Sequence, residues 1–461
     1  MRTGVALTRK LHLEMKALIL NSGLGHRMGA ITSEHPKCMT EVSYKETILS
    51  HQLSQLVAYG IFDVVITTGY YDQILVDYCR SLHLPLKFTF VNNPDYASTN
   101  YIYSIYCARE VLRDDDILLM HGDFVFENLV IEAALDCATS CMAVSSTAPL
   151  PDKDFKAVVE QGRIRQVGID FFDHAVAAQP LYKLKREDWA VWLGRIEQYC
   201  ERGERNCYAE RALNEVSDLM DLRPLDCKDR LCAEIDTPED LETVKARLSK
   251  VSERTVYMCF STEYIHSGHI AIINKARRLG RLIIGELSDE AVASYKRFPL
   301  IPYEERKTLM ENIEGVERVV EQQTLSYADN LRRLKPDYVV HGDDWCEGFQ
   351  KPIRQEVIAV LAGYGGQLVE YPYSSDPKYK ELDAAHRAEL SMPDVRRGRL
   401  RKLINMKGLV TAMEAHSGIT GLIVERPRCS RRARHTSLML CGSQAFATPR
   451  PRESLISNLW I

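Results

Sequence analysis

The sequence lacks the features of a disulfide-built, membrane-spanning or strongly charged protein. It has no cysteines in C-x-x-C spacing, no apolar leader at its amino terminus and no apolar run of about 18 residues or more. Its 13 cysteines are scattered over 461 residues, which favours reduced thiols in the cytoplasm over a disulfide scaffold. The formal net charge of −4 gives no support to nucleic-acid binding. We therefore expect neither nucleic acid nor a membrane as a partner.

Length and composition indicate a globular protein with more than one domain. Hydrophobic residues make up 45% and charged residues 26% of the chain, as in proteins with a buried core. A usual domain size of roughly 100–200 residues predicts about three domains for this length. The sequence is compatible with an oligomer and does not specify one.

A glycine-containing turn follows the first apolar run. The stretch 16–39 reads KALILNSGLGHRMGAITSEHPKCM, and residues 17–20 within it are typical of a buried strand. Gly23 and Gly25 have no Cβ, so the backbone N–H groups beside them can close on phosphate oxygens. A lone G-x-G is equally typical of an ordinary strand–turn–helix connection, so both interpretations stand at this point.

Two basic residues after the turn strengthen the phosphate interpretation. Arg27 can fork onto phosphate, and Lys37 adds a point charge where charge develops at the α-phosphate of a nucleotide. The Gly-rich turn, the arginine and the Pro-Lys pair together resemble the signature of the sugar-nucleotidyltransferase superfamily, above all its phosphocholine and 2-aminoethylphosphonate cytidylyltransferases. The resemblance implies that Arg27 and Lys37 are catalytic and bind nucleotide together with the two glycines. Asn21-Ser22 departs from the Ala-Ala usual in that branch.

Predicted strands and helices alternate from residue 15 to residue 248, which indicates one NTP-transferase-like domain. The strand candidates are 16–21, 63–69, 87–92 and 116–123, and the helix candidates are 47–59, 72–83 and 101–112. Such alternation predicts an α/β, Rossmann-like fold with a mainly parallel sheet between helices. Ligands of such folds bind beyond the carboxyl ends of the strands.

Two aspartates are candidate ligands of Mg²⁺ on a bound triphosphate. Asp123 ends a predicted strand in MHGDFVFE, and Asp236 precedes a predicted helix in EIDTPEDLE. Carboxylates suit Mg²⁺, but a solvated turn acid at 123 and a helix cap at 236 are the simpler interpretations of each residue alone. The resemblance favours metal binding, because this superfamily carries its metal-binding aspartates in matching motifs.

A tyrosine-rich segment precedes Asp123 in the chain. The segment 93–110 reads NPDYASTNYIYSIYCARE, and its aromatic faces suit an ammonium group. Tyrosines at helical spacing are equally typical of a core. The choline-type branch lines its acceptor site with a similar segment, so the resemblance makes Asn100 and Tyr101 candidates for substrate binding.

Two further residues are candidates for the acceptor site. Lys156 lies in a predicted hairpin whose turn is at Gln161-Gly162, and it either meets the acceptor phosphoryl group or faces solvent. Glu210 lies in the string CYAERALNE. We expect both to bind substrate in the first domain.

A second domain is predicted over 252–392. Residues 255–261 are typical of a strand, and the string HSGH places His266 and His269 at the start of a helix. Two histidines there face the anion site of the helix N-terminus and can stabilise a pentavalent phosphorus transition state. Metal ligation is the alternative, but no third Cys or acidic ligand is suitably spaced.

With the strings at 281–292 and 337–345, the histidine pair resembles the glycerol-3-phosphate cytidylyltransferase superfamily. There the H-x-G-H pair binds the CTP phosphates, which implies catalytic and nucleotide-binding roles for both histidines. By the same resemblance Lys296 and Asp343 are expected to bind nucleotide.

One departure weakens that expectation. The family closes its site with a Gly-Ile-Ser-Ser/Thr-Thr helix start, whereas 371–382 reads YPYSSDPKYKEL here. The glycine is missing, and Asp376 adds negative charge where phosphate would lie. We expect weak CTP binding and little turnover in this domain.

The last part of the chain changes character twice. Residues 394–425 resemble the beginning of phosphoenolpyruvate mutase, but so short a stretch cannot form a barrel of about 250 residues, so we expect no mutase activity. Residues 426–461 are Arg-rich and show no amphipathic period. They are interpreted as a disordered tail, produced by a frame error rather than selected for nucleic-acid binding.

The resemblances together predict a cytidylyltransferase of phosphonate or phosphocholine-like metabolism. It would transfer CMP from CTP to the acceptor with Mg²⁺ bound and release pyrophosphate. Two alternatives stay open: transfer to a sugar phosphate, and a truncated product that binds nucleotide without turnover.

Overall fold

The computed structural model describes residues 15–23, 26–261, 265–295 and 299–372, and the backbone of two short segments, 411–414 and 438–441. Three residues of the predicted sites therefore lie outside the described residues: Gly25, Lys296 and Asp376. The chain divides into two compact units, one ending at Glu253 and one beginning at Arg254.

The first unit has helices on both faces of one large sheet. Its strands are β1 (Met15–Leu20), β2 (Glu41–Ser43), β3 (Glu46–Thr47), β4 (Asp63–Thr68), β5 (Lys87–Asn92), β6 (Asp116–His121), β7 (Phe124–Phe126), β8 (Ser140–Ser145), β9 (Lys156–Glu160), β10 (Arg163–Gly168), β11 (Ala175–Leu184), β12 (Leu222–Asp226) and β13 (Cys232–Glu234). Its α-helices are α1 (Ile48–Ala58), α2 (Asp72–Ser81), α3 (Tyr101–Leu112), α4 (Asn128–Asp136), α5 (Arg186–Glu201), α6 (Ala209–Asn214) and α7 (Pro238–Glu253). Short 3-10 helices lie at His26–Thr32, Lys37–Met39 and Ser217–Leu219. The strands and helices predicted up to residue 123 are all present.

The large sheet combines a parallel and an antiparallel part. Its order is β10-β9-β11-β6-β1-β4-β5, and β8 joins β11 to β12. Strands β6, β1, β4 and β5 are parallel neighbours, whereas β11 runs antiparallel to β6, β8 and β9. The α/β prediction is confirmed, and β11 is the strand that turns the sheet antiparallel.

Strand β1 lies between β6 and β4 inside the sheet, and both of its faces are buried. Leu18 and Leu20 pack into the core on one face of the sheet. Ala17 and Ile19 pack into the core on the other face. A strand covered on both faces is apolar throughout rather than alternating, which is why the run stands out in the sequence.

The predicted hairpin is also present. Strands β9 and β10 pair antiparallel, and Gln161 and Gly162 between them have φ values of 50° and 74°. Two successive residues with positive φ are typical of a type I′ turn, which matches the twist of the strands that it joins.

The second unit is a smaller, wholly parallel sheet. Its strands are β14 (Thr255–Phe260), β15 (Arg281–Leu287), β16 (Val316–Gln322), β17 (Tyr338–Gly342) and β18 (Gln367–Tyr371), in the order β16-β15-β14-β17-β18. Its α-helices are α8 (Ser267–Ala276), α9 (Asp289–Tyr295), α10 (Tyr303–Glu311), α11 (Ala328–Leu334) and α12 (Lys351–Ala362). Two 3-10 helices, Asp343–Trp345 and Gly348–Gln350, follow β17.

A buried ion pair joins α10 to β15. The guanidinium of Arg306 is fully buried, donates to the equally buried carboxylate of Glu286 and lies 2.9 Å from Asp289 Oδ1. Burial raises the pKa of Glu286, and the charge and hydrogen bond of Arg306 oppose that shift and favour the carboxylate. Removing one partner leaves an uncompensated buried charge, which is far more destabilising than replacing both partners.

We therefore predict that Arg306→Met destabilises the second unit by roughly 3–5 kcal/mol. Hydrogen–deuterium exchange of peptides from 281–322 in the full chain measures this, because exchange there should rise strongly. The control is Arg332→Met, whose side chain is 66% exposed. Equal protection of 281–322 in both variants would contradict the prediction.

Two short strands are described in the last part of the chain, and the interpretation of 426–461 as a disordered tail stays a prediction. Within 426–461, Leu438–Cys441 form strand β20, which pairs in parallel with β19 (Thr411–Glu414). Backbone hydrogen bonding to a neighbouring strand needs no amphipathic period, which was the signal sought in the sequence. The remainder of 394–461 lies outside the described residues, so the mutase resemblance stays a prediction.

The helices and cysteines of the described part of the chain bear on membrane insertion and disulfide bonding. None of the helices described there is both long and apolar enough to cross a bilayer. The 11 cysteines placed in it are free thiols.

Candidate active site

One lysine joins the two predicted metal ligands in the first unit. Lys37 Nζ lies 2.6 Å from Asp123 Oδ2 and 2.6 Å from Asp236 Oδ1. Arg27 Nη1 lies 2.9 Å from the other oxygen of Asp236. The structure thus brings together the two basic residues and the two aspartates that the sequence assigned to the nucleotide and its metal ion, and their roles in catalysis stay predictions.

The fold explains why residues so distant in sequence meet. Strands β1 and β6 are parallel neighbours, so the loop after β1 and the turn with Asp123 emerge at one edge of the sheet. Strand β13 pairs with β7, and Ile235 N donates to Asp123 O at 3.0 Å. This backbone bond holds Asp236 beside Asp123.

Asp236 does not cap the helix that follows it. Thr237 Oγ1 accepts from Asp240 N at 3.2 Å, and Asp240 Oδ2 accepts from Thr237 N at 2.8 Å. This reciprocal arrangement is typical of a helix N-terminus. The carboxylate of Asp236 is therefore left for the two basic side chains.

The pairing shifts the pKa values of the site. Burial lowers the pKa of Lys37, but the charge of Asp123 and hydrogen bonds to both carboxylates outweigh burial and raise it. Burial raises the pKa of Asp123, and the charges of Lys37 and His121 reverse the shift, so the net pKa is lowered. Both groups are thus held in their charged forms at neutral pH.

These residues line a cavity of about 310 Å³. Its walls are Leu20, Asn21, Gly23, Arg27, Pro36, Lys37, Gly122, Asp123 and Asp236. Among the residues that the structure describes, a Cβ on Gly23 would meet nothing within 4 Å, so packing against them does not require this glycine. The volume is at the lower end for small-molecule sites, which are roughly 300–1,000 Å³.

Gly122 is a site residue that sequence reasoning missed. A Cβ on Gly122 would lie 1.7 Å from Asn21 Oδ1, so this position must be glycine for Asn21 to pack there. The departure Asn21-Ser22 and the glycine before Asp123 are therefore linked. In the sequence, Gly122 stands in the string MHGD directly before the predicted metal ligand Asp123. Nothing in the sequence connected this glycine to Asn21.

His121 and Glu234 are the other residues that were missed. His121 Nδ1 and Glu234 Oε1 lie 2.9 Å apart. Burial lowers the pKa of His121, but the hydrogen bond and charge of Glu234 outweigh burial and raise it to about 9. Each of them stands two positions before a predicted metal ligand in the sequence. This spacing is the feature that could have indicated a place in the site.

Two of the four predicted acceptor residues, Tyr101 and Glu210, are in contact with each other. Glu210 accepts from Tyr101 Oη and, at 2.8 Å, from Tyr182 Oη. The ring of Tyr101 is 4.9 Å from that of His121 and 5.9 Å from that of Tyr208. Burial, followed by the charge of Glu210, raises the pKa of Tyr101 well above its ordinary value, so its hydroxyl stays protonated.

Asn100 and Lys156 have structural partners of their own. Asn100 Oδ1 accepts from Tyr101 N at 2.8 Å and caps α3. Lys156 is fully buried and donates to the carbonyls of Asp154, at 3.2 Å, and Ile169. The solvent-facing interpretation of Lys156 is therefore wrong, and acceptor roles for both residues stay predictions.

The histidine pair of the second unit stands at a helix start as predicted. His266 is the N-cap of α8, and its Nδ1 accepts from Gly268 N at 3.1 Å. The rings of His266 and His269 are 3.8 Å apart. Burial lowers the pKa of His266. His266 therefore serves the helix itself in this structure, which the sequence reasoning did not foresee.

A small cavity of about 60 Å³ lies in the second unit. It is lined by Cys259, Ser261, Leu287, Gln322, Leu325, Tyr327, His341, Trp345, Gln350 and Ile353. His341 stacks on Trp345 with ring centroids 3.8 Å apart. Asp343 begins the 3-10 helix after β17 and does not line this cavity, so its nucleotide-binding role stays a prediction.

Two family models match the chain. Residues 17–204 match the MobA-like NTP transferase domain, and residues 262–370 match the cytidylyltransferase-like family. The two matches fall within the first and the second compact unit respectively.

Several curated relatives are nucleotidyltransferases. CMP-5'-(3-aminopropyl)phosphonate synthase of Streptomyces rubellomurinus is 27% identical over 402 residues, 83% of this chain and 59% of that protein. CTP:phosphoglutamine cytidylyltransferase of Campylobacter jejuni is 27% identical over 117 residues, 24% of this chain and 45% of that protein. The chain thus spans less than two thirds of the length of either relative.

Solved structures resemble the chain more weakly. CTP:phosphocholine cytidylyltransferase from Streptococcus pneumoniae has a TM-score of 0.44 at 19% identity, over 51% of this chain and 99% of that chain. The inositol-1-phosphate CTP transferase from T. maritima has a TM-score of 0.43 at 18% identity, over 51% and 96%. Likeness at this level does not argue for a shared substrate.

The two family matches show that the chain combines an NTP transferase domain with a cytidylyltransferase-like domain, both of nucleotidyltransferase type.

Proposed function

We propose that the chain is a cytidylyltransferase that moves CMP from CTP to a phosphonate or phosphocholine-like acceptor and releases pyrophosphate. The observation that carries the proposal is the position of Lys37 between Asp123 and Asp236, with Arg27 beside them, in a cavity of about 310 Å³. The relative named for synthesis of a CMP-phosphonate supports the acceptor class.

Arg27 and Lys37 are proposed to contact different phosphates of the bound triphosphate. The side chain of Arg27 is 68% exposed, so it can leave Asp236 and fork onto phosphate. Lys37 is held at the floor of the cavity by two carboxylates. In the proposed reaction an acceptor oxygen attacks the α-phosphorus in line, the bond to the β-phosphate oxygen breaks, and Lys37 offsets the charge that develops.

Asp123 and Asp236 are the proposed ligands of Mg²⁺. The fit is supported by the cation that they already share, the ammonium of Lys37, which lies 2.6 Å from one oxygen of each aspartate. Bound Mg²⁺ would supply further positive charge at the phosphates. The carboxylates themselves hold Lys37 charged and in place.

The acceptor is proposed to enter beside Tyr101. Aromatic faces and buried carboxylates attract an ammonium group, and Tyr101, Tyr208 and Glu210 provide both. An aminophosphonate or phosphocholine carries such a group, whereas a sugar phosphate does not. This chemistry favours the former classes over the sugar-phosphate alternative.

We predict that Tyr101→Ala raises the KM for an ammonium-bearing acceptor by about 10-fold, the effect of losing one cation–π contact of about 1.4 kcal/mol. The KM for CTP should change little. The control is Tyr106→Ala on the same helix, whose ring stacks on Tyr103. An equal rise in both variants would mean that helix α3, rather than the Tyr101 ring, determines acceptor affinity.

Pyrophosphate release by the full chain tests the proposal. CTP is supplied with 2-aminoethylphosphonate, 3-aminopropylphosphonate, phosphocholine or a hexose 1-phosphate, and CTP is then exchanged for the other nucleoside triphosphates. Turnover with the hexose phosphate alone would overturn the acceptor class. Binding of CTP without turnover on any acceptor would favour the alternative that the chain is a truncated protein that binds nucleotide and catalyses no reaction.

Location in the cytoplasm is part of the proposal. The free thiols of the described cysteines are in keeping with a reducing compartment. CTP and a small acceptor are the proposed partners.

A further inference from the structure

Three potential metal ligands meet at the inner side of the candidate active site. His121 ends β6, Asp123 lies in the turn that follows, and Glu234 ends β13. The register pairs Glu234 with Phe124, so the backbone fixes Glu234 next to that turn. One ligand atom from each of the three residues lies within 4.8 Å of the other two.

Two atoms of this cluster have unused bonding capacity. His121 Nε2 and Asp123 Oδ1 are buried and have no hydrogen-bond partner within the described part of the chain. The other nitrogen of His121 is bonded to Glu234, and the other oxygen of Asp123 to Lys37. An unpaired buried polar atom is costly, so the arrangement is incomplete without a further group.

We propose that His121, Asp123 and Glu234 form a site for a divalent transition-metal ion such as Mn²⁺ or Zn²⁺. Two donors that each lie about 2.1 Å from one ion are at most about 4.2 Å apart. Separations of up to 4.8 Å therefore require a small adjustment of the side chains. The ligand form of His121 is the neutral imidazole, so a bound ion displaces one ring proton. One imidazole nitrogen with carboxylate oxygens favours transition metals, whereas Mg²⁺ prefers oxygen ligands alone.

The site differs from the Asp123–Asp236 pair, although it shares Asp123. The space between Asp123 Oδ2 and Asp236 is taken by the ammonium of Lys37. The His121 ring lies instead toward Tyr101. The proposed metal site does not depend on whether the protein transfers CMP. Any role of the bound ion at the acceptor would rest on the proposed function.

Metal binding is measured on the full chain without CTP or acceptor. Free Mn²⁺ is titrated by electron paramagnetic resonance, and electron spin-echo modulation reports ¹⁴N nuclei next to the bound ion. We expect ¹⁴N modulation from one imidazole in the wild type. His121→Asn should abolish it and weaken Mn²⁺ binding by roughly 10–100-fold, and Glu234→Gln should weaken binding in the same direction.

Two controls separate this site from its surroundings. Asp236→Asn should keep the ¹⁴N modulation, because Asp236 belongs to the neighbouring pair. His174→Asn replaces an exposed histidine with φ of 54°, which Asn tolerates, and should change neither affinity nor modulation. Wild-type protein that binds Mn²⁺ without ¹⁴N modulation, or modulation that persists in folded His121→Asn, would overturn the proposal. If His121→Asn does not fold, the wild-type spectrum and the Glu234→Gln affinity still decide.

Discussion

The Asp123→Asn variant is expected to lose roughly 10³-fold in kcat/KM for cytidylyl transfer, equivalent to about 4 kcal/mol of transition-state stabilisation. Asp123 bonds Lys37 and is one of the two proposed Mg²⁺ ligands, and the charge of that lysine helps to lower its pKa. The change keeps the shape of the side chain and removes its charge. Pyrophosphate release with CTP and the preferred acceptor measures the effect.

The control for Asp123→Asn is Glu239→Gln, which makes the same charge change at an exposed position near Asp236. Turnover that remains in Asp123→Asn should disappear when His269→Ala is added, because it would come from the second unit. If Asp123→Asn keeps most of the activity and His269→Ala alone removes it, the second unit is the catalytic one.

The Lys37→Met variant is expected to lose about 10²–10³-fold in kcat, as when one charge-stabilising group of an active site is removed. Lys37 is held by two carboxylates that keep its pKa raised, so its ammonium is present at all ordinary pH values. The same change should tighten Mn²⁺ binding, because Asp123 and Asp236 lose the cation that they share. Steady-state kinetics and Mn²⁺ titration measure the two effects.

Two further variants separate charge from packing at position 37. Lys37→Arg keeps the positive charge and should recover part of kcat. Lys250→Met removes an exposed lysine from α7 and should have wild-type kinetics. Lys37→Met with kcat within twofold of wild type would show that the ammonium serves the apo structure and not the reaction.

The sequence alone was enough for elements with a local signal. Strand β1 is apolar throughout because both faces of the sheet cover it, and the turn at Gln161-Gly162 needs two residues that tolerate positive φ. Arg27 and Lys37 were recognised because they follow a glycine turn at short spacing. Such signals extend over a few residues, which is why they can be read without the fold.

Strand pairing and the final geometry of the site needed the tertiary structure. The antiparallel strand β11 and the pairing of β20 with β19 depend on partners that the sequence does not name. Lys156 had two interpretations that only its burial could separate.

The candidate site shows the same division between sequence and structure. The sequence by itself determined which residues carry charge: Lys37, Asp123 and Asp236 were identified from their motifs. Only the tertiary structure decided that Lys37 bonds both aspartates, one of them 199 positions away, and that His121 meets Glu234 across 113 positions. Side chains so distant in the chain meet because β6 lies beside β1 and β13 pairs with β7, and pairing between strands leaves no mark in the local sequence.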